Sequence, residues 1–434
     1  MKKVLSTVAA LGLVAGLAST AAAVEFKMGG MYLVEGAYLS DARGAGLYPV
    51  EMAGESTPSD SYWLHTFEIK PTMQVNDKIS MSSTIRLADD TFWGGQADGD
   101  TQAGRGIGDA AGDVEVWHLY MDYASPIGKM RFGRVPAGPY GTAFNDSDKR
   151  ADRVMLYPSF LAGGPVSTLF YIQKNTDNFN VNTDETDTDS DTYVARLYYK
   201  TDNLDSGIHY GYTNNMSSPL LSDRKNELTA YGKFKMDNFF INGELSHYFG
   251  EKDWDDALVL DTDYDSWAGM LQVGGKFDAL TVSGMYFYAE GDDNAADDEI
   301  NNAISTGTGD MFEPLYILTG RHTGMLNNDI FTSNTDMNNA GVHAVVAAAD
   351  YAVSNQLTLH GAIGWAQADE TRIANQDDEY GWEYNVGAAY KLLDNLTYEA
   401  HFGYLDTGDF FNENSPTDIT ENVYLMTHSL TMTF

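Results

Sequence analysis

Along most of this chain apolar and polar residues alternate one by one, the period of a β-strand with two different faces. In the last segment Tyr424, Met426, His428, Leu430, Met432 and Phe434 fall on one side, and Thr427, Ser429, Thr431 and Thr433 on the other. The segment before it sets Leu396, Tyr398, Ala400, Phe402 and Tyr404 against Thr397, Glu399, His401 and Gly403. The same division separates Tyr380, Trp382, Tyr384, Val386 and Tyr390 from Glu383, Asn385 and Lys391. Earlier, Ile79, Met81, Ile85 and Leu87 oppose Lys78, Ser80, Thr84 and Arg86, and Trp267, Leu271, Val273 and Phe277 oppose Gln272 and Lys276. One face suits hydrocarbon and the other suits water. A soluble β-sandwich alternates in the same way, so the connections have to decide.

Short turns at Asn76-Asp77, Asp237-Asn238, Lys276-Phe277-Asp278 and Leu393-Asp394-Asn395 alternate with long acidic or Gly/Asn-rich stretches, over roughly 40–60, 90–112, 175–191, 251–265, 290–340 and 407–421. Sorting short and long connections to opposite ends is the asymmetry of an outer-membrane barrel. Aromatic residues near the strand ends (Trp63, Trp117, Tyr123, Tyr199, Trp267, Trp365, Trp382 and Tyr390) suit the two membrane interfaces. Counted back from Phe434, segment 166–174 runs away from the turn end, and counted forward from Phe26, so does 129–135. A returning strand must lie between them, and 151–159 supplies it, followed by a turn over 161–165. The expected fold is therefore an all-β transmembrane antiparallel barrel of about 18 strands, or 16 if one hairpin is merged. At that size side chains no longer fill the lumen, and an aqueous channel is expected.

The first residues change the picture of the start of the chain. Met1-Lys2-Lys3, an apolar run over 4–18 and Ala21-Ala22-Ala23 read as a secretory signal peptide over 1–23, cut after Ala23, with the barrel over 24–434. Without Lys2 and Lys3 the 26 basic residues become 24 against 63 acidic ones, a formal charge of 24 − 63 = −39. That balance excludes nucleic acid as a partner. The absence of cysteine excludes a disulfide framework, a Cys-ligated metal and covalent haem attachment. No long uncharged apolar segment follows the signal, so any membrane function requires a closed barrel.

No HExxH, GxSxG or Walker A motif occurs, and the nine histidines are scattered. No catalytic residue, metal or cofactor is assigned. Asp187-x-Asp189-x-Asp191 imitates the start of a calcium loop, but Thr192 stands where the turn glycine belongs and the distal Glu is missing, so a solvated loop is expected. The basic residues, otherwise sparse, crowd into one window: Lys129, Arg131, Arg134, Lys149, Arg150 and Arg153, together with Asp146, Asp148 and Asp152. With Met130 and Phe132 facing lipid, Lys129 and Arg131 point into the lumen, whereas parity turns Arg134 outward unless the strand has ended. Two readings stand side by side: one wall of a pore constriction that selects solutes by fixed charge, or ion pairs anchoring a loop.

The strand carrying Tyr424, Met426, Leu430, Met432 and the final Phe434 resembles the terminal strand that the β-barrel assembly machinery reads in porins. Met130-Arg131-Phe132-Gly133-Arg134, then Gly138-Pro139-Tyr140-Gly141-Thr142, then Asp152-Arg153-Val154-Met155-Leu156-Tyr157-Pro158-Ser159-Phe160 resemble the strand, inward loop and next strand of general and substrate-specific diffusion porins. The resemblance implies a Gram-negative outer-membrane location, a lumen narrowed by the loop, and passive diffusion of ions and small hydrophilic solutes without enzymatic activity. It also implies contact with lipid and lipopolysaccharide, assembly by that machinery, and frequently a homotrimer. Combined with the acidic balance, it leads to the expectation of a cation-preferring channel. A barrel sheath around a multihaem electron carrier, and a structural or adhesive outer-membrane protein, are the alternatives.

Overall fold

The computed structural model describes residues 24–434 except 41, 44–45, 48–58, 94–113, 137–139, 145–149, 162, 177–188, 217–219, 256–259, 295–296, 303–311, 321–339, 372–374 and 413–419. The expected signal peptide over 1–23 lies outside the described residues.

Eighteen strands form one barrel. They are β1 (Glu25–Leu39), β2 (Asp60–Asn76), β3 (Ile79–Phe92), β4 (Glu115–Ser125), β5 (Gly128–Pro136), β6 (Arg150–Pro158), β7 (Val166–Thr176), β8 (Ser190–Lys200) and β9 (Leu204–Asn215), followed by β10 (Leu221–Met236), β11 (Phe239–Trp254), β12 (Thr262–Phe277), β13 (Leu280–Ala289), β14 (Val342–Ala352), β15 (Leu357–Gln367), β16 (Glu379–Leu393), β17 (Leu396–Thr407) and β18 (Val423–Thr433). Each pairs antiparallel with its neighbours, and β1 also pairs with β18, from Met31 opposite Thr433 to Leu39 opposite Leu425. Closure leaves no free sheet edge, a requirement in hydrocarbon, where an unpaired backbone N–H or C=O finds no water. The returning strand expected over 151–159 is β6. Short turns gather at one end with both ends of the barrel chain, and the longer connections gather at the other. At the tight turns Asp237 and Asp278 adopt φ of 50° and 52°, a left-handed conformation that aspartate tolerates.

The cross-strand register carries the sequence alternation around the barrel. On β18 Tyr424, Met426, Met432 and the following Phe434 are exposed on the outer wall, while Thr427 and Ser429 are buried inside. Among the described residues two aromatic positions depart from it, both at bulges, where one extra residue breaks the period of two. Trp117 is the extra residue between the pairs Thr84–His118 and Ile85–Val116. It lies inside, beneath the guanidinium groups of Arg86 and Arg150, rather than at a membrane interface. Tyr380 is the extra residue where the β15–β16 register shifts, beside Gly381 at φ 124°. It is fully buried, donates to the Gly341 carbonyl at 2.8 Å and packs on Phe410, which corrects its expected place on the lipid face.

The apolar core lies within the barrel. Leu39, Phe287, Val342, Leu405 and Val423 enclose Phe144, Phe312, Leu315, Ile317 and Leu318, which come from two long connections.

Candidate functional site

The β5–β6 connection turns into the lumen at Tyr140–Phe144 and docks on the inner face of β10 and β11. The Tyr140 ring sits among Tyr198, His209 and Tyr231, with centroids 5.6, 5.2 and 5.1 Å away. Lys233 Nζ donates to the Gly141 carbonyl at 2.6 Å. The Thr142 amide and hydroxyl both donate to Glu244 Oε2, at 2.8 and 2.7 Å. Gly141, at φ 80°, is required here, because a Cβ would come within 2.6 Å of the Tyr231 ring and 2.8 Å of the Glu244 carboxylate.

A second segment, Phe312–Gly320 of the β13–β14 connection, also folds inward. The amides of Tyr316 and Ile317 donate to Glu383 Oε1 at 2.7 and 2.8 Å, and that of Leu318 to Oε2 at 2.7 Å. Glu383 projects from β16 and is fully buried. A buried carboxylate needs such partners, and three charge-assisted bonds from successive amides supply them. Tyr316 Oη and His401 Nδ1 lie 3.1 Å apart. The two segments meet at Phe144 and Phe312, edge to face with centroids 5.2 Å apart, and Phe312 rests on Phe287 of β13 at 5.0 Å.

Beside this junction is a gap of about 440 Å³. Gly141, Thr142 and Ala143 border it from the first segment, and Phe312, Glu313 and Pro314 from the second. The wall contributes Lys233, Asn242, Met270, Gln272 and Met285. Asn242 Nδ2 donates to Gln272 Oε1 at 2.9 Å. The gap thus offers a cation, a carboxylate, two amides and two thioethers.

The basic window is divided between the two sides of the wall. Lys129, Arg131 and Arg153 face the lumen. Arg131 makes a bidentate pair with Asp122, at 2.6 and 2.8 Å, and lies 4.2 Å over Tyr120. Lys129 lies 4.4 Å over Tyr157, while Arg153 donates to Gln173 Oε1 at 2.8 Å and lies 4.6 Å over Tyr171. Arg134 faces outward, as its parity requires, and pairs with Asp152 at 3.2 and 2.9 Å. Arg150, the first residue of β6, pairs with Glu115. Asp146, Asp148 and Lys149 lie outside the described residues. The calcium-like pattern is partly filled from within: Lys174 Nζ reaches Asp189 at 3.3 Å and Asp191 at 3.0 Å, and Asp187 lies outside the described residues.

Sequence reasoning put Arg86 on the water-facing side without giving it a place in the site and missed Arg196, Lys225 and Lys233; all four are inward cations that lie over aromatic rings. Arg196 Nε donates to His209 Nδ1 at 2.9 Å, and among the described residues it has no carboxylate within 4.0 Å. It missed Glu244 as well, and gave Glu383 its inward face without a role. The available signal was parity, since each is an acid on the inward face of a strand otherwise rich in aromatic and small residues.

Residues 165–432, more than half of the 434-residue chain, match the family model of the porin subfamily. The chain belongs to that subfamily. As a porin it resides in the cell outer membrane, with the longer connections outside. Its barrel is similar to that of a BenF-like porin from Pseudomonas fluorescens Pf-5, with a TM-score of 0.55 and 11% identity over 94% of this chain and 99% of that one. Pseudomonas aeruginosa OpdQ gives a TM-score of 0.56 and 14% identity over 94% and 97%. OccK8 (OprE) of the same species gives 0.54 and 12% over 94% and 98%. At these identities the likeness is one of fold. Among curated proteins none matches this porin.

Proposed function

We propose that this porin passes ions and small hydrophilic solutes by passive diffusion, with a preference for cations, through the gap between its two inward segments. The observation that carries the reading is the gap of about 440 Å³, polar on several sides and bordered by both segments and by β10–β13. The cation preference rests on the formal charge of −39 expected after signal cleavage, from 24 basic and 63 acidic residues. Lys129, Arg131 and Arg153 contribute positive charge to the lumen wall, but Asp122 neutralises the Arg131 guanidinium where it stands. Segments 140–144 and 312–320 occupy space that an electron carrier inside the barrel would need, which favours a channel over a sheath. The proposal extends to export by the signal peptide over 1–23, assembly through the Phe434 strand, contact with lipid and lipopolysaccharide, and a homotrimer.

Liposome swelling with the purified protein and neutral solutes of graded size tests the reading. Swelling rates should fall as solute size rises. Liposomes that do not swell with any solute would overturn it.

A further inference from the structure

Two inward glutamates, Glu244 and Glu383, hold the two segments, but they hold them differently. Glu244 receives one amide and one hydroxyl of Thr142, in a segment that Lys233 and the Tyr140 ring cluster also secure. Glu383 receives three successive amides from the uncharged stretch Leu315–Leu318. The wall beneath that stretch is cut back to glycine. A Cβ at Gly364 would come within 2.6 Å of Leu315, one at Gly387 within 2.8 Å of the Tyr316 hydroxyl, and one at Gly403 within 3.2 Å of Ile317. The bay is therefore shaped to this stretch: its buried side chains and the Tyr316–His401 contact seat it, and Glu383 is the one carboxylate that takes its amides.

We infer that Glu383 is a specificity-determining positioning residue, the latch of a plug formed by 312–320, and that it sets the position of both segments through the Phe312–Phe144 contact. If the carboxylate is removed while the segment stays docked, three buried amides lose their acceptor, a cost that favours transfer of the segment into the aqueous lumen. Phe312 then withdraws from Phe144. The bore widens on the plug side first, and the first segment gains freedom second. The inference rests on the channel reading above.

Two variants release the plug by separate routes. Glu383→Ala removes the acceptor, and Gly364→Val fills the seat of Leu315 while leaving Glu383 in place. Folded, heat-modifiable barrel is confirmed for each, and Glu383→Gln, which keeps one carbonyl acceptor, gives an intermediate case should the stronger changes impair folding. In planar bilayers both releasing variants should raise single-channel conductance, by about two-fold if the plug side closes about half of a lumen wide enough for water. The chain contains no cysteine, so Ala143→Cys gives a unique probe of the first segment. A water-soluble thiol reagent should modify it several-fold faster with Glu383→Ala, several-fold faster with Phe312→Ala, and no faster still with both.

Unchanged conductance in folded Glu383→Ala and Gly364→Val would overturn the inference. So would a rise in Glu383→Ala alone, which would assign the effect to lost charge rather than to the plug. Additive labelling rates in the double variant would overturn the coupling. If the wild-type barrel carried no current, the channel reading would fail, and the labelling rates would still decide whether Glu383 latches the segment.

Discussion

Arg131 and Arg196 both face the lumen, yet they should act very differently on a passing ion. Arg131 is held in a bidentate pair whose carboxylate lies 2.6–2.8 Å away, so at the pore axis the two charges form a short dipole. Arg196 has neutral hydrogen-bond partners, His209 and Tyr171, with the Glu227 carboxylate one residue further, 3.8 Å from His209 Nε2, so its charge is less fully paired than that of Arg131. For a monovalent ion about 8 Å away in water, one unit charge is worth about 0.5 kcal/mol before screening. Screening with a Debye length of about 30 Å in dilute salt leaves about 0.4 kcal/mol, and the length of about 8 Å at physiological salt leaves about 0.2 kcal/mol. Cations and anions shift in opposite senses. Arg196→Gln should therefore raise the cation-to-anion permeability ratio about four-fold in dilute salt and about two-fold at physiological salt. Arg131→Ala alone exposes the Asp122 charge and should produce a comparable rise. Arg131→Ala with Asp122→Ala removes a neutral pair and should leave the ratio nearly unchanged. The assay is the reversal potential of single channels under a salt gradient, with heat-modifiability as the check on folding. A selectivity change in the pair deletion as large as that in Arg196→Gln would refute the reasoning, as would no change in Arg196→Gln.

The C-terminal ring is seated where β1 has no side chain: Phe434 and Gly30 exchange backbone hydrogen bonds at 3.1 and 2.9 Å, and a Cβ at Gly30 would overlap the Phe434 ring. Deleting Phe434, replacing it by Asp, or changing Gly30 to Leu should each lower the amount of folded barrel in the outer-membrane fraction; normal amounts in all three would refute this seam. Because Lys174 already occupies Asp189 and Asp191, calcium should leave the thermal unfolding midpoint unchanged, and a calcium-dependent rise would show a site there after all.

The barrel was legible in the sequence because one physical constraint, lipid outside and water inside, acts on every strand and leaves a period of two. The strand count followed from the sorting of turns and loops, and β6, the least obvious strand, followed from parity alone. Bulges defeated the reading at Trp117 and Tyr380, since one extra residue reverses the face without altering composition. The site was less legible. The cluster at 129–153 was visible because its members are neighbours in sequence, yet register sends Arg134 and Asp152 to the outer side. Arg196, Lys233, Glu244 and Glu383 are far apart in the chain, and only closure of the barrel brings them to one lumen. The inward course of 140–144 was expected from its resemblance to the porin loop. That of 312–320 was not, because its three bonds to Glu383 come from backbone amides, which leave no mark in the sequence.

An open, water-filled path with an acidic outer mouth and fixed cations on its inner wall is what the proposed function requires. Reversal potentials of the wild-type channel, measured under a salt gradient at several mean concentrations, test it most directly. The Debye length falls from about 30 Å in dilute salt to about 8 Å at physiological strength. The mouth's contribution should therefore fade with salt while that of the narrow lumen persists. The predicted result is a cation preference that is largest in dilute salt and weakens steadily as salt rises. Anion preference at every concentration would contradict it and assign control of permeation to the lumen arginines.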